Sequence, residues 1–235
     1  MFAECPIKVI NDHLILTDNG QDILIDTGSP ISFHPLGNLI IGDNEFSVQS
    51  CIPGVSTQYL SEKVGCEIQG LLGMDIINSM PTLFNLKKCF ILIDDNTEYP
   101  NHFKNCPLSP LAGGLVAIII SVNGKEAKMI VDSGAPISYI RHDFLSGLES
   151  AGIMDDFSPF IGNFQTDTFV CEVDTLTHQN VYRQRFGIPP QVISITLELL
   201  NVDGVIGIEL FKQYRLQFKN QTVFLPPQET AFTQS

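Results

Sequence analysis

A chain of 235 residues is long enough to bury a substantial core, as one large domain or as two small ones. Its composition, 44% hydrophobic and 17% charged, carries no bias toward disorder. A formal net charge of −13 argues against a nucleic-acid partner, which needs clustered Lys and Arg, and no apolar run approaches the length of a membrane span.

Taken in chain order, Met1-Phe2-Ala3-Glu4-Cys5-Pro6 has neither a basic start nor a long apolar segment. No signal peptide is read there, and a cytoplasmic location is expected. Leu14 to Asp18 and Asp22 to Ile25 are apolar runs separated by Asn19-Gly20. Both turn residues accept positive φ, so the pair reads as a hairpin whose second strand runs into Asp26. A helix is predicted over Gln58 to Val64, capped by Ser56 or Thr57. Gly70-Leu71-Leu72-Gly73 follows, and then a closing hairpin, Leu83 to Leu86 against Cys89 to Ile93 about Lys87-Lys88.

The stretch from Asp94 to Gly114 is rich in Asp, Asn, Pro and Gly without periodicity, and residues 95–114 read as a linker. Beyond it the pattern repeats. Ile118 to Val122, Asn123-Gly124 and Ala127 to Val131 form a second hairpin leading into Asp132. Gly204-Val205-Ile206-Gly207 matches the earlier glycine pair, and Arg215 to Phe218 against Thr222 to Leu225 matches the closing hairpin. Gln191 to Leu200 mixes β-branched and helix-favouring residues and leaves its state open. Four features recurring in one order make two lobes, 1–94 and 115–227, with a flexible tail over 228–235.

At the centre of the repeat, Ile23-Leu24-Ile25-Asp26-Thr27-Gly28-Ser29-Pro30-Ile31-Ser32 recurs as Met129-Ile130-Val131-Asp132-Ser133-Gly134-Ala135-Pro136-Ile137-Ser138. One acid–hydroxyl–glycine triplet is weak evidence, because Asp and Gly commonly build a β-turn. A turn explains each copy but not their agreement. Two carboxylates in matching settings suit a catalytic dyad. At a few ångströms they cannot both ionise, so the pair holds one proton. The ionised member takes a proton from water as it attacks a carbonyl, and the protonated member polarises that carbonyl and then serves the leaving amine. Ser29 is placed to donate to Asp26, whereas Ala135 cannot help Asp132. Asp26 is therefore expected to be the ionised partner and Asp132 the acid.

The doubled motif, each copy followed by an apolar pair and glycine (Leu71-Leu72-Gly73 and Val205-Ile206-Gly207), resembles the aspartic peptidases over essentially the whole chain. The resemblance implies an all-β bilobal acid-protease fold with few short helices and two pseudo-twofold lobes. Asp26 and Asp132 would be catalytic, and Thr27, Gly28, Ser29, Ser133, Gly134 and Ala135 would support their loops. Thr27 and Ser133 would hydrogen-bond across the axis, and each second glycine element would pass under its loop in a ψ-shaped crossing. It implies no cofactor, a peptide or protein substrate in the cleft between lobes, no membrane or nucleic-acid partner, and a monomer that is internally a pseudo-dimer.

Asp26 to Gly73 spans 47 positions (73 − 26) and Asp132 to Gly207 spans 75 (207 − 132). The excess in half two leaves room for one substrate-covering flap, expected within 157–175 with its tip at Gly162-Asn163-Phe164-Gln165. Phe160, Gly162, Asn163 and Phe164 are the candidate substrate contacts. Half one is expected to be too short for a flap, so the chain is nearer to a fused retropepsin-like dimer than to the pepsin pattern.

Other features weigh less. His34 and His142 follow the two aspartates and are more simply surface or capping residues. Tyr139 and Phe33 read as packing residues, and the acid pairs Asp94-Asp95 and Asp155-Asp156 as solvated loop residues. Six scattered cysteines without a C-x-x-C pair read as reduced thiols, and no zinc motif occurs. A glycosidase also uses two carboxylates but does not predict duplicated loops. The non-enzymatic alternative is a catalytically silent peptide-binding module on the same fold.

Overall fold

The two Asn-Gly turns set the first strand pair of each half. Asn19 and Gly20 sit at φ of 49° and 76°, and Asn123 and Gly124 at 51° and 79°. Backbone of this hand matches the twist of the flanking strands, so the chain doubles back within two residues. The computed structural model describes residues 3–93, 105–107, 109–158, 161–175, 181–219 and 222–224.

In half one, β1 (Ala3–Ile10), β2 (His13–Asp18) and β3 (Gln21–Ile25) form an antiparallel meander. A small hairpin, β4 (Asn38–Ile41) and β5 (Asn44–Ser47), precedes α1 (Thr57–Val64). Ser56 caps that helix by accepting from the Tyr59 N–H, and Gly65, at φ 83°, ends it. Then come β6 (Gly70–Leu72), α2 (Met74–Ile77), β7 (Thr82–Asn85) and β8 (Phe90–Ile93).

Two short strands, β9 (Asn105–Pro107) and β10 (Ser109–Pro110), lie in the segment that lacks periodicity. They belong to the sheets: β9 pairs with the last strand of the chain and β10 with the first long strand of half two. Half two comprises β11 (Val116–Val122), β12 (Lys125–Val131), β13 (Ser138–Ile140), β14 (Ile153–Ser158), β15 (Gly162–Asp174) and β16 (Tyr182–Gly187). It ends with α3 (Gln191–Leu199), β17 (Gly204–Ile206), α4 (Glu209–Gln213), β18 (Leu216–Lys219) and β19 (Thr222–Phe224). The segment left open by its mixed residues is therefore helical. It occupies the place before β17 that α1 occupies before β6.

The molecule is mostly β, with two curled sheets forming two lobes. One sheet has the order β6-β3-β2-β1-β8-β7-β18-β19-β9, the other β10-β11-β12-β17-β13-β16-β15-β14. The first order contains the seam between halves. β7 and β18 occupy equivalent places in the repeat and pair antiparallel, with Leu216 opposite Phe84 and Phe218 opposite Thr82. Phe84 is fully buried there and meets Phe211 and Phe218 edge-on at 5.4 and 5.5 Å. Each such ring contributes about 1.5–3 kcal/mol by leaving water, so the seam is core and not a loose junction. No helix among the described residues is long and apolar enough to cross a membrane.

Half one does carry a hairpin where none was expected. Phe33 bridges Leu71 on one side and Gln49 on the other, as β13 pairs with β17 and β16, so β4–β5 occupies the place of β14–β15. It is short, and its Leu39 and Ile41 are buried in the main core. Asp94-Asp95, most of the linker and the tail lie outside the described residues.

Candidate active site

Each acid stands where a strand leaves the sheet. β3 pairs in parallel with β6, and the Asp26 N–H donates to the Leu72 carbonyl at 3.0 Å. The chain loops out and returns antiparallel to β6, where Phe33 and Leu71 exchange hydrogen bonds of 2.9 and 2.8 Å. β6 thus passes between the two limbs of its loop. Half two repeats the arrangement with β12, β17 and β13, and the Asp132 N–H donates to Ile206 at 3.0 Å. The glycine closing each crossing has no room for a side chain. A Cβ on Gly73 would lie 2.6 Å from the Ile31 carbonyl oxygen, and one on Gly207 would lie 2.4 Å from that of Ala135.

The two loops lock to one another through buried hydroxyls. The Thr27 N–H donates to Ser133 Oγ at 3.0 Å, and the Ser133 N–H donates to Thr27 Oγ1 at 2.8 Å. Each hydroxyl then donates onward into the other half: Thr27 Oγ1 to the Val131 carbonyl and Ser133 Oγ to that of Ile25, both at 2.9 Å. Both side chains are fully buried, so every partner in this ring must be retained.

The lock brings Asp26 and Asp132 together, near enough for each carboxyl to act on the protonation of the other. A Cβ on Gly28 would fall 2.4 Å from Asp132 Cγ, and one on Gly134 would fall 2.7 Å from Asp26 Cγ. Only glycine lets each loop close over the opposite acid. The Gly28 N–H donates to Asp26 Oδ1 and the Gly134 N–H to Asp132 Oδ1, both at 2.8 Å. Each acid keeps a partly exposed face, while the surrounding protein removes most of its hydration.

That desolvation raises both carboxyl pKa values above the ordinary value of 3.8, and the Asp26 charge raises Asp132 further. The pair therefore holds one proton, shared between its members. The side-chain difference expected to set the two acids apart is absent. Ser29 Oγ donates to the Ile31 carbonyl at 2.9 Å, not to Asp26. The backbone N–H groups of Ser29 and Ala135 are placed alike, donating to the backbone carbonyls of Asp26 and Asp132 at 3.2 and 3.4 Å.

A long hairpin of half two, β14–β15, stands beside the site. It begins at Ile153, earlier than expected, and pairs Ser158 with Gly162 and Phe157 with Asn163. Its turn precedes Gly162, so Gly162, Asn163 and Phe164 lie on a strand and not at a tip; Phe160 is outside the described residues. Phe164 packs on Tyr139, with ring centroids 6.0 Å apart. Tyr139 is more than a packing residue: its hydroxyl donates to Asp156 Oδ2, and it feels the charge of Asp132. Asp156 is accordingly half-buried, its pKa raised by desolvation, while Asp155 accepts from Gln165 Nε2 at 2.8 Å.

Phe33 is buried against α1 beside Leu60 and Val64. His34 is 5% exposed and borders a 410 Å³ groove with Leu36, Thr57 and Ser61; its Nδ1 accepts from the Leu36 N–H. Burial lowers its pKa. His142 lies in the exposed turn after β13, and among the described contacts neither histidine meets an aspartate of the pair.

Ser32 and Ser138, which close the repeated run, have no role in the sequence reading, yet both support the site. Ser32 Oγ donates to Asp75 and accepts the Gly73 N–H at 2.8 Å. Ser138 Oγ accepts the Gly207 N–H at 2.9 Å and Gln184 Nε2 at 3.0 Å. Their shared offset of six residues from each acid was the available signal. Among the described residues, no group of three or more His, Cys, Asp or Glu is placed to hold a metal ion. The chain matches no known family model, and no curated protein matches it.

Proposed function

We propose that this chain is a hydrolase working through a carboxyl pair, with water as nucleophile. More narrowly, it is an aspartic endopeptidase of the bilobal acid-protease type, acting on a peptide or protein in the gap between its halves. The observation that supports this best is the reciprocal Thr27–Ser133 ring, which ties together the two separate loops that carry Asp26 and Asp132 and sets each acid against the opposite loop's glycine.

The chemistry follows from the shared proton. In this cycle Asp26 serves as the ionised member and takes a proton from water as the water oxygen attacks the peptide carbonyl. Asp132, which retains its proton, donates it to the carbonyl oxygen as a tetrahedral diol forms. Asp26 then passes its proton to the amide nitrogen while Asp132 takes one back from a diol hydroxyl, and the C–N bond breaks to give a carboxylic acid and an amine. The loop N–H groups of Gly28 and Gly134 hold both carboxyls in one geometry throughout, so little reorganisation is needed at the moment of reaction. The bound peptide supplies its own hydrogen bonds, and no cofactor enters the cycle.

A peptide-library digest across pH, with and without a statine-type inhibitor, tests the proposal on wild type, Asp26→Asn and Asp132→Asn. Inhibitor-sensitive cleavage by wild type and none by either variant is expected. Equal cleavage by all three sinks the dyad. No cleavage by any, with peptide still bound, makes the chain the silent binding module instead.

A further inference from the structure

Phe157 belongs to half two, yet its ring is surrounded by half one. It stacks on His13 at 6.2 Å between centroids and 27° between planes. Tyr59 meets it edge-on at 6.1 Å and 82°. Lys63 Nζ sits 5.2 Å from its centroid and donates a short hydrogen bond to Asn163 Oδ1, the residue facing Phe157 in the hairpin register. Tyr59 and Lys63 are four residues apart on α1 and so share one helix face. His13 opens β2, is 4% exposed, and is fixed by a 2.7 Å contact from Nδ1 to the Asn11 carbonyl.

Strand alternation explains how one hairpin is held on both faces. Asp156 and Phe164 point to Tyr139, beside the Asp132 loop. Phe157 and Asn163 point the other way, to His13, Tyr59 and Lys63. One strand pair therefore spans from the acid of half two to α1 of half one.

We propose that His13, Tyr59 and Lys63 form a clasp that fastens the β14–β15 hairpin to the opposite half, and that the clasp must part before a chain enters the site. The three are positioning residues for the hairpin and take no part in proton transfer. The role of the clasp in substrate entry rests on the peptidase assignment; the fastening itself does not. Lys63 is the member to perturb, since its one side chain supplies both a hydrogen bond and a cation–π contact.

Hydrogen exchange of the hairpin amides, read on the full chain, separates the two questions. Lys63→Met keeps the apolar stem and removes the charge and the donor. It should speed exchange over 153–158 and 162–167 about five-fold, leaving β3 and β12 unchanged, and Lys63→Arg should restore most of the protection. Phe157→Leu, which keeps bulk but removes the ring, should do the same as Lys63→Met. Unchanged hairpin exchange in both variants overturns the clasp. Lys63→Cys with Asn163→Cys, joined by a reducible bis-maleimide that spans the lost side chains, adds a functional readout. Cross-linking should abolish cleavage and reductant should restore it, with wild type indifferent to both. Cleavage that persists in the cross-linked protein overturns the entry role. Faster exchange in Lys63→Met, with no cleavage by any variant, leaves the clasp standing and overturns the peptidase instead.

Discussion

Replacing Thr27 by Val tests what holds the two halves in register at the acids. The substitution keeps shape and burial but removes one hydroxyl. That hydroxyl donates to the Val131 carbonyl at 2.9 Å and accepts the Ser133 N–H at 2.8 Å, in a site closed to water. Both backbone groups lose their partner, at about 1–3 kcal/mol each. The added methyl returns about 0.8 kcal/mol. The net cost is then roughly 1–5 kcal/mol, against a total of about 5–15 kcal/mol for a folded protein. For a chain of this size it lowers the thermal midpoint by about 2–4 °C per kcal/mol. Circular dichroism melts and urea titrations of wild type, Thr27→Val and Thr27→Ser measure it. Thr27→Ser keeps the hydroxyl and should lose about 1 kcal/mol, the cost of one buried methyl. Thr27→Val with Ser133→Ala should deviate from additivity by more than about 0.5 kcal/mol, because both belong to one ring. Equal costs for the Ser and Val variants would refute the lock as the tie between the loops.

Two other perturbations follow from the same geometry. The raised pKa of Asp132 means that the folded state binds its proton more tightly than the unfolded state. The associated stability is present below about pH 3.8 and is lost as pH rises through the higher folded value. Asp132→Asn removes that loss, so its melting point should exceed that of wild type at neutral pH while cleavage vanishes. A lower melting point than wild type at pH 7 would count against desolvation at the pair. Glycine substitutions should divide by contact and not by φ. Gly207→Ala drives a Cβ to 2.4 Å from the Ala135 carbonyl oxygen and should cost at least about 1–3 kcal/mol. Gly124→Ala, at φ 79° in open space, should cost about 1–2 kcal/mol from backbone strain alone. Urea denaturation ranks the two, and the reverse order would show that the crossing tolerates movement.

Much of this frame is written locally. Asn-Gly turns and the Ser56 cap are decided by neighbouring residues, so a single sequence carries them. The two glycine-closed crossings join distant residues and were legible because their pieces recur in both halves. The pairing of β7 with β18 depends on residues more than a hundred positions apart and was visible only as a repeat. The role of Ser29 differs from expectation because its hydroxyl bonds the Ile31 backbone carbonyl two residues on, a local acceptor that the motif does not display. The hairpin turn was misplaced by a similar competition. Gly162 looked like a tip residue, yet its positive φ of 77° serves the first position of a long strand. Tyr139, Asp156 and the clasp left no signal, because an aromatic, an acid and a lysine on three elements form no motif until the fold assembles them.

The departure from twofold symmetry is concentrated in one place. The hydrogen bonds at the acids repeat between halves within a few tenths of an ångström, from the strand-end N–H groups to the loop glycines. A pair that shares one proton needs that equivalence, because any difference in donors would bias one acid before substrate binds. The covering element is under no such constraint. Half one keeps only β4–β5, with Leu39 and Ile41 committed to the core, while half two extends the same position into β14–β15. An unpartnered two-stranded hairpin is marginal in water. The long hairpin is stable because Tyr139 holds one face and α1 of the opposite half receives the other. Its asymmetry thus has a structural counterpart in half one, and lengthening β4–β5 to match would place a second hairpin in competition for the surface that Phe157 occupies.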